Sequence, residues 1–210
     1  MQFSSYQIFY ISIKRIFDIL LSLIGMICLF ILMIIVKIAN ICTRDTGNLF
    51  YTQTRVGKDG KEFQLYKFRS MYTNADEMLV ELLKQDKYKK EWEKYQKLEN
   101  DPRITKIGKV LRKTSLDEFP QFINIFKGEM SLVGPRPLIP GELEEHGGVK
   151  LYEQIKPGLT SWWAANGRSK INYDERLKLE YYYVKNISLW LDCKCILKTI
   201  VCVLTAKGAD

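Results

Sequence analysis

An uncharged apolar run from Ile19 to Val36 is the feature that most constrains how this chain can fold. A helix needs about 20 apolar residues to cross the bilayer core, so the run is just long enough to enter a membrane. It is too long for the apolar part of a cleaved signal peptide, and no small-x-small cleavage site follows it. The sequence therefore predicts a membrane-anchoring helix over residues 1–40 and a globular domain over residues 41–210.

Two topologies of this helix are open from the residues alone. The positive-inside rule gives no orientation, because basic residues lie at both ends of the run. These residues are Lys14, Arg15, Lys37 and Arg44. A re-entrant helix, which returns to the face that it entered, suits this distribution but needs a break, and only Ser22 and Gly25 weaken a run without proline. A spanning helix needs no break.

Asp18, one residue before the apolar run, favours the re-entrant topology. A charged residue at membrane depth is costly unless it finds a partner. The basic globular domain supplies such a partner only if the helix stays associated with it. We therefore expect Met1 and Asp210 to lie on the same side of the membrane.

The composition outside the run excludes several classes of protein. The 10 Phe, 12 Tyr and 4 Trp are too many for a disordered chain, and five Cys are too few and odd in number for a disulfide-stapled secreted domain. A single apolar stretch excludes a polytopic transporter. The formal net charge of +8 favours an anionic partner.

The sequence of the globular part predicts a β-hairpin followed mainly by helices. Strands over 49–55 and 62–68 flank Asp59-Gly60, which is typical of a tight hairpin turn. Helices are predicted over 74–99, 107–112, 115–126, 172–186 and 188–205, and the segment 134–158, rich in Gly and Pro, is predicted as loop with one short helix at most. The last helix suits either the core or the membrane interface. The predicted fold is α+β and mostly helical, with an N-terminal membrane helix, a small hairpin and interfacial amphipathic helices.

The common catalytic constellations are absent from the sequence. The one histidine, His146, lies in a predicted surface loop beside two acids and two glycines. Cys193 and Cys195 have the wrong spacing for zinc, and no second pair supports them. The chain has no P-loop, and no Gly-x-Gly-x-x-Gly follows a strand.

The candidate site is the basic run from Asp101 to Pro137, in which Asp117 and Glu118 are adjacent carboxylates at a predicted helix start. Helix capping by Ser115 and dipole complementation would explain these acids in structural terms. A chemical role is the alternative, because an arginine-ringed helix start binds anions and a carboxylate there can attack a neutralised phosphate. The rigid Pro135-Arg136-Pro137 would hold one guanidinium at fixed geometry.

Several motifs closely resemble those of the bacterial sugar transferase family, the monotopic polyprenyl-phosphate phosphoglycosyltransferases. The resemblance runs from about residue 14 to 205, in the same order as in the family. The motifs are Lys14-Arg15-Ile16-Phe17-Asp18, Gln53-x-Arg55-x-Gly57, Tyr66-Lys67-Phe68-Arg69-Ser70-Met71, Asp101-Pro102-Arg103-Ile104-Thr105, Leu111 to Glu118, Met130 to Pro137, Lys156-Pro157-Gly158 and Asn166-Gly167-Arg168. The chain departs from the family at Phe30-Ile31, where a helix-breaking Ser-Pro is usual.

The resemblance implies an enzyme of the hexose-1-phosphate type on the cytoplasmic face of the bacterial inner membrane. A UDP-sugar would be the donor and undecaprenyl phosphate the acceptor, in the first step of exopolysaccharide, capsule or O-antigen synthesis. Asp117 would attack the β-phosphate, release UMP and carry the phosphosugar until the lipid phosphate takes it. Glu118 would assist proton handling or hold Asp117, and Mg²⁺ would bind at Asp117.

The implied substrate clamps are all basic side chains. They are Lys67, Arg69, Arg103, Arg112, Arg136 and Arg168. Two alternatives are open: the same fold with a ternary complex, in which Asp117 is only a metal ligand, and a non-catalytic basic module that binds anions at the membrane. Nucleic acid is not expected as a partner, the lipid bilayer is, and a homodimer is left open.

Overall fold

The N-terminal helix α1 runs from Ser5 to Cys42 without interruption. A computed structural model of the chain describes residues 2–95, 98–148, 150–166 and 172–204. Ser4 and Gln7 form a capping box at the start of α1, and the 38 residues make a rod about 57 Å long. The helix continues through Ser22 and Gly25, so the break that a re-entrant hairpin needs does not form in α1.

One stripe of α1 packs against the domain along nearly its whole length. The buried residues recur every three or four positions apart from one gap of seven, and they are Tyr10, Lys14, Asp18, Ser22, Gly25, Leu29, Val36 and Asn40. Half of them are polar, whereas the outward faces carry apolar side chains such as Ile27, which is 66% exposed. A helix of a water-soluble protein has the opposite arrangement. The outer surface of α1 therefore fits lipid rather than water.

The predicted hairpin is confirmed. Strand β1, Phe50–Val56, pairs antiparallel with β2, Glu62–Phe68, and Phe50 lies opposite Phe68. Residues 57–61 connect the strands, and Asp59 and Gly60 within this turn both adopt positive φ angles, 59° and 73°.

The helices of the domain follow the predicted order with two differences. They are α2 Ala75–Leu82, α3 Asp86–Tyr95, α4 Lys106–Lys113, α5 Gln121–Lys127, α6 Glu142–Glu145, α7 Tyr173–Lys185 and α8 Leu189–Leu204. The single helix predicted over 74–99 is wrong, because α2 and α3 are separate. Asn74 lies at the N-cap of α2 without a capping hydrogen bond, whereas Asn172 caps α7 by accepting from the Glu175 amide, as predicted.

A second, parallel pair of strands, which the sequence does not predict, flanks the predicted loop 134–158. Strand β3, Ser131–Val133, pairs with β4, Gly158–Thr160, so that Ser131 lies opposite Gly158. Each strand has three residues, and β4 begins at a glycine after Pro157. The described residues thus form a mostly helical α+β fold with two small two-stranded sheets, which confirms the predicted fold class.

Candidate active site

The two adjacent carboxylates lie in a tight turn rather than at the start of a regular helix. Helix α4 ends at Lys113, and Ser115 then adopts a left-handed backbone with φ 56°. Residues 116–118 form a 3-10 turn, and α5 begins only at Gln121. The predicted Ser115 cap is therefore wrong. A left-handed serine costs about 1–3 kcal/mol, and such strained residues cluster at functional sites.

Asp117 is partly buried and faces charges of both signs. Burial raises the pKa of the Asp117 carboxyl, Lys67 and Arg112 lower it, and Glu118 raises it, with a net result above the usual range. The ionised form of Asp117 therefore depends on these two cations. Loss of either cation would make the carboxylate harder to maintain.

Lys67 comes from β2 and is held by the residue next to Asp117. Its Nζ donates to Glu118 Oε1 at 2.8 Å, and the two side chains are 30% and 39% exposed. The pair is therefore open to solvent and to a ligand. Glu118 thus positions the ammonium group beside Asp117.

Arg112 approaches Asp117 from the end of α4. Its Nε donates to Ser70 Oγ at 2.9 Å, and burial lowers the pKa of Arg112. Among the described residues, the two terminal nitrogens of this guanidinium have no hydrogen-bond partner. Arg112 therefore presents its planar edge to an anion close to Asp117.

Asn124 on α5 fixes the hairpin against the turn. Its fully buried side chain accepts from the Tyr66 amide at 3.1 Å and donates to the Gln64 carbonyl at 2.7 Å and to Glu129 at 2.6 Å. The contacts hold β2 in register with α5, which follows the turn that carries Asp117. Lys67, the residue after Tyr66, is thereby placed within reach of Glu118.

Two of the predicted clamps are already paired with carboxylates. Arg69 donates to Asp45 at 2.7 Å and fastens the segment between α1 and β1. Arg103 makes a two-pronged pair with Asp101, at 2.9 Å and 2.6 Å, and lies over the ring of Trp92. Their role as phosphate clamps stays a prediction, and the geometry gives each of them a structural partner.

Arg136 lies in a second group of charges. The guanidinium groups of Arg136 and Arg176 both lie over the Trp163 ring, 5.8 Å and 5.1 Å from its centroid. Arg55 is buried nearby, donates to the Pro137 carbonyl at 3.1 Å, and has its pKa lowered first by burial and then by Arg136. We call Arg55, Arg136, Trp163, Arg176 and Glu180 the arginine cluster.

The arginine cluster contains most of the buried side-chain polar atoms that have no hydrogen-bond partner within the described residues. These atoms are Arg55 Nε, Trp163 Nε1, Arg176 Nε and Glu180 Oε2. Glu180 is fully buried, and burial raises its pKa to about 7. An unpaired buried polar group costs about 1–3 kcal/mol. A ligand with both donors and acceptors would satisfy this group of atoms.

Sequence reasoning missed the two α7 members of the cluster. Arg176 and Glu180 are four residues apart on a charged helix, a pattern that is typical of a solvated face. Arg55 was visible only as part of the hairpin motif. Arg168, which was predicted as a clamp, lies outside the described residues.

No group of three or more His, Cys, Asp or Glu side chains that could hold a metal ion occurs in the described parts of the chain. Mg²⁺ usually binds one or two carboxylates together with waters and substrate phosphates. The oxygen donors of Asp117, with Glu118 beside it, fit such an ion bound together with a phosphate ligand.

The chain belongs to the bacterial sugar transferases, whose family model matches residues 9–206. It is 48% identical to the undecaprenyl-phosphate galactose phosphotransferase of Salmonella typhimurium, over 94% of this chain and 41% of the relative. It is 40% identical to the exopolysaccharide production protein ExoY of Sinorhizobium fredii, over 93% and 87%. The galactosyl transferase CpsE of Streptococcus agalactiae is 41% identical, over 97% and 45%.

These matches confirm the family resemblance seen in the motifs. The chain spans about two fifths of the length of the Salmonella relative and of the UDP-galactose-lipid carrier transferase of Erwinia amylovora. Among the described residues, α1 is the one helix long and apolar enough to cross a membrane. The chain is therefore a member of the bacterial sugar transferase family with one candidate membrane helix.

Proposed function

We propose that this chain transfers a sugar-1-phosphate from a UDP-sugar to undecaprenyl phosphate, as an early step in making an extracellular polysaccharide. The observation that carries the proposal is a strained turn that presents Asp117 between Lys67 and Arg112. Family membership and the printed activities of the relatives support it. Undecaprenyl phosphate and UDP-galactose occur in the names of relatives, and the family resemblance implies the covalent step.

In the first step, an Asp117 carboxylate oxygen attacks the β-phosphorus of the donor. The bond from that phosphorus to the bridging oxygen breaks, UMP leaves, and an aspartyl phosphosugar remains. A carboxylate and a diphosphate repel each other, so Lys67 and Arg112 are needed to offset the charge as they meet. The raised pKa of Asp117 reflects a poorly solvated carboxylate, which is more reactive than a solvated one.

In the second step, a phosphate oxygen of the lipid attacks the same phosphorus. The bond to Asp117 breaks, the carboxylate is regenerated, and a polyprenyl-diphosphate sugar leaves. The two anionic substrates therefore never have to share the site. Glu118 keeps Lys67 in place through both steps, since their ion pair does not involve Asp117.

The arginine cluster is suited to the nucleotide end of the donor. Arg55 lies opposite Phe63 and Lys67 lies opposite Tyr51, so both side chains project from the same face of the hairpin. Four residues of strand separate them, which is about 13 Å. A nucleoside diphosphate can bridge that interval, with its reacting phosphate at Asp117 and its other end among the unpaired donors and acceptors around Arg136.

We propose Asp117 as the protein ligand of a Mg²⁺ ion that arrives with the donor. Bound there, such an ion would withdraw charge from the diphosphate. Glu118 is a weaker candidate for the metal because it is engaged by Lys67.

UMP release from a panel of UDP-sugars tests the proposal and identifies the sugar. With wild-type protein and donor alone, we expect a burst of UMP of about one equivalent per active site, followed by steady release once undecaprenyl phosphate is added. Release only when both substrates are present would favour the ternary complex, with Asp117 as a metal ligand. No release with any UDP-sugar would favour the non-catalytic anion-binding module.

A further inference from the structure

Basic side chains converge where α1 meets the end of α5. Arg15 donates to the carbonyl of Ile125 at 2.6 Å and to that of Phe126 at 2.8 Å. A carbon built in the Cβ position on Gly128 would lie 3.3 Å from both Arg15 Nη2 and Lys156 Nζ. The two nitrogens are therefore no more than twice that distance apart, which is close enough for both to bind one phosphate group.

Positive charge exceeds negative charge around this pair. Lys156 makes no ion pair with any described residue, and its pKa is lowered by burial and then by Arg15, with a smaller contribution from Lys58. Asp18 is the carboxylate that acts on Lys156 in the opposite direction. Its Oδ1 is already engaged by the Ser131 hydroxyl at 3.0 Å and the Leu132 amide at 2.9 Å. Three cations thus face one carboxylate.

The neighbouring surface is apolar. The residues that follow Arg15, Ile16 and Phe17, are 58% and 50% exposed, and Phe126 beside them is 43% exposed. This apolar surface continues along the outer faces of α1. Basic groups at the edge of a lipid-facing surface lie at the depth of lipid phosphates.

We propose that Arg15 and Lys156 bind the phosphate headgroup of a membrane lipid. Capping of α5 explains the two bonds of Arg15 but leaves Lys156, held beside another cation, without a role. Leu29 packs in the cluster that contains Leu116, the first residue of the turn that carries Asp117, and it lies 14 residues beyond Arg15 on α1. That separation is about 21 Å of helix. We therefore assign the bound phosphate to an anionic phospholipid rather than to the acceptor.

Native mass spectrometry of the full chain in detergent tests the site. The protein is titrated with phosphatidylglycerol, with zwitterionic phosphatidylcholine, with undecaprenyl phosphate and with inorganic phosphate. We expect one phosphatidylglycerol to bind, and Lys156→Gln to weaken that binding by about fivefold, the effect of one basic residue at an anionic surface. Lys178→Gln, which removes the same charge from an exposed position on α7, should leave it unchanged.

The outcomes separate the possible sources of the phosphate. Equal effects of Lys156→Gln and Lys178→Gln on phosphatidylglycerol binding, or no effect of either, would overturn the proposal. Arg15 and Lys156 would then contribute only to the general positive charge of the surface. A loss confined to undecaprenyl phosphate would overturn the phospholipid assignment and make the patch an acceptor site. Arg15→Lys should weaken binding less than Lys156→Gln, because it keeps the charge, and thermal unfolding checks that both variants remain folded. The readout is lipid binding and does not depend on turnover.

Discussion

The ammonium group of Lys67 lies 2.8 Å from Glu118 Oε1, across the gap between β2 and the turn that carries Asp117. This contact joins two segments that are 51 residues apart in the sequence. The two adjacent acids therefore have different roles, because Glu118 binds the ammonium group of Lys67, which stabilises the ionised form of Asp117. Among the described residues, no other side chain is hydrogen-bonded to the Asp117 carboxylate, which leaves it open to a substrate.

Asp117→Asn should lower turnover by at least about a thousandfold, because an amide oxygen cannot displace UMP. The variant should remain folded and membrane-bound. Wild-type protein quenched after incubation with labelled donor alone should retain a labelled phosphosugar, and the variant should not. Asp76→Asn, on the exposed side of α2, is the matched control. Absence of label under conditions that preserve acyl phosphates would count against the covalent step.

Changes at Glu118 and Lys67 should move the acid limb of the pH–rate profile in opposite directions. Glu118 raises the pKa of Asp117 and Lys67 lowers it. Removing the charge in Glu118→Gln lowers that pKa, so Asp117 stays ionised to lower pH and the limb moves down. Lys67→Met raises the pKa and moves the limb up. Both variants should also lose rate, by about 10- to 100-fold, and parallel shifts would show that another group controls the limb.

Asn124→Leu should destabilise the domain by about 2–4 kcal/mol. It leaves the Tyr66 amide and the Gln64 carbonyl without their buried partner. Chemical denaturation measures the loss, and Gln64→Ala, which removes an exposed side chain from the same strand, should cost less than about 1 kcal/mol. Equal losses would mean that the hydrogen bonds of Asn124 between β2 and α5 contribute little to stability.

The elements that the sequence predicts correctly carry local signals. The Asp59-Gly60 turn, the Asn172 cap of α7 and the apolar pattern of α8 each lie within a few residues of the structure they determine. The strands β3 and β4 carry no such signal, because three residues cannot show a period and their pairing joins Ser131 to Gly158. The separation of α2 from α3 likewise has no Gly or Pro to mark it.

The residues of the candidate site also divide into those that local sequence signals predict and those that they do not. Asp117 and Glu118 stand out as adjacent acids in a basic run, and the motifs name Lys67 and Arg112. Ser115 misleads, because its spacing from Glu118 imitates a capping box, whereas its backbone is left-handed and its side chain makes no capping hydrogen bond. The arginine cluster contains residues from β1, from the loop after β3 and from α7. These segments are distant in the sequence, so patterns in a single sequence do not predict their contact.

Arg136→Lys should lower kcat/KM for the donor by about tenfold or more, although the charge is kept. A lysine cannot lie flat against Trp163 or present a planar pair of donors. Because the proposed contact is with the nucleotide end, the change should appear mainly in the KM for the UDP-sugar. Arg44→Lys, at an exposed position after α1, serves as the control. Near-wild-type kinetics would assign Arg136 a purely structural role.

Because α1 is continuous, the prediction that both chain ends lie on one side of the membrane cannot rest on a broken, re-entrant helix. Its buried stripe contacts the domain from Tyr10 to Asn40, so a spanning α1 would carry charged parts of the domain into the hydrocarbon core. We therefore expect α1 to lie along the interface, with both chain ends on one side. Because Ser4 caps α1, the reporter is Gln2→Cys in a cysteine-free background. An impermeant thiol reagent should label it in opened cells and leave it unlabelled in intact cells, and labelling in intact cells would establish a spanning helix.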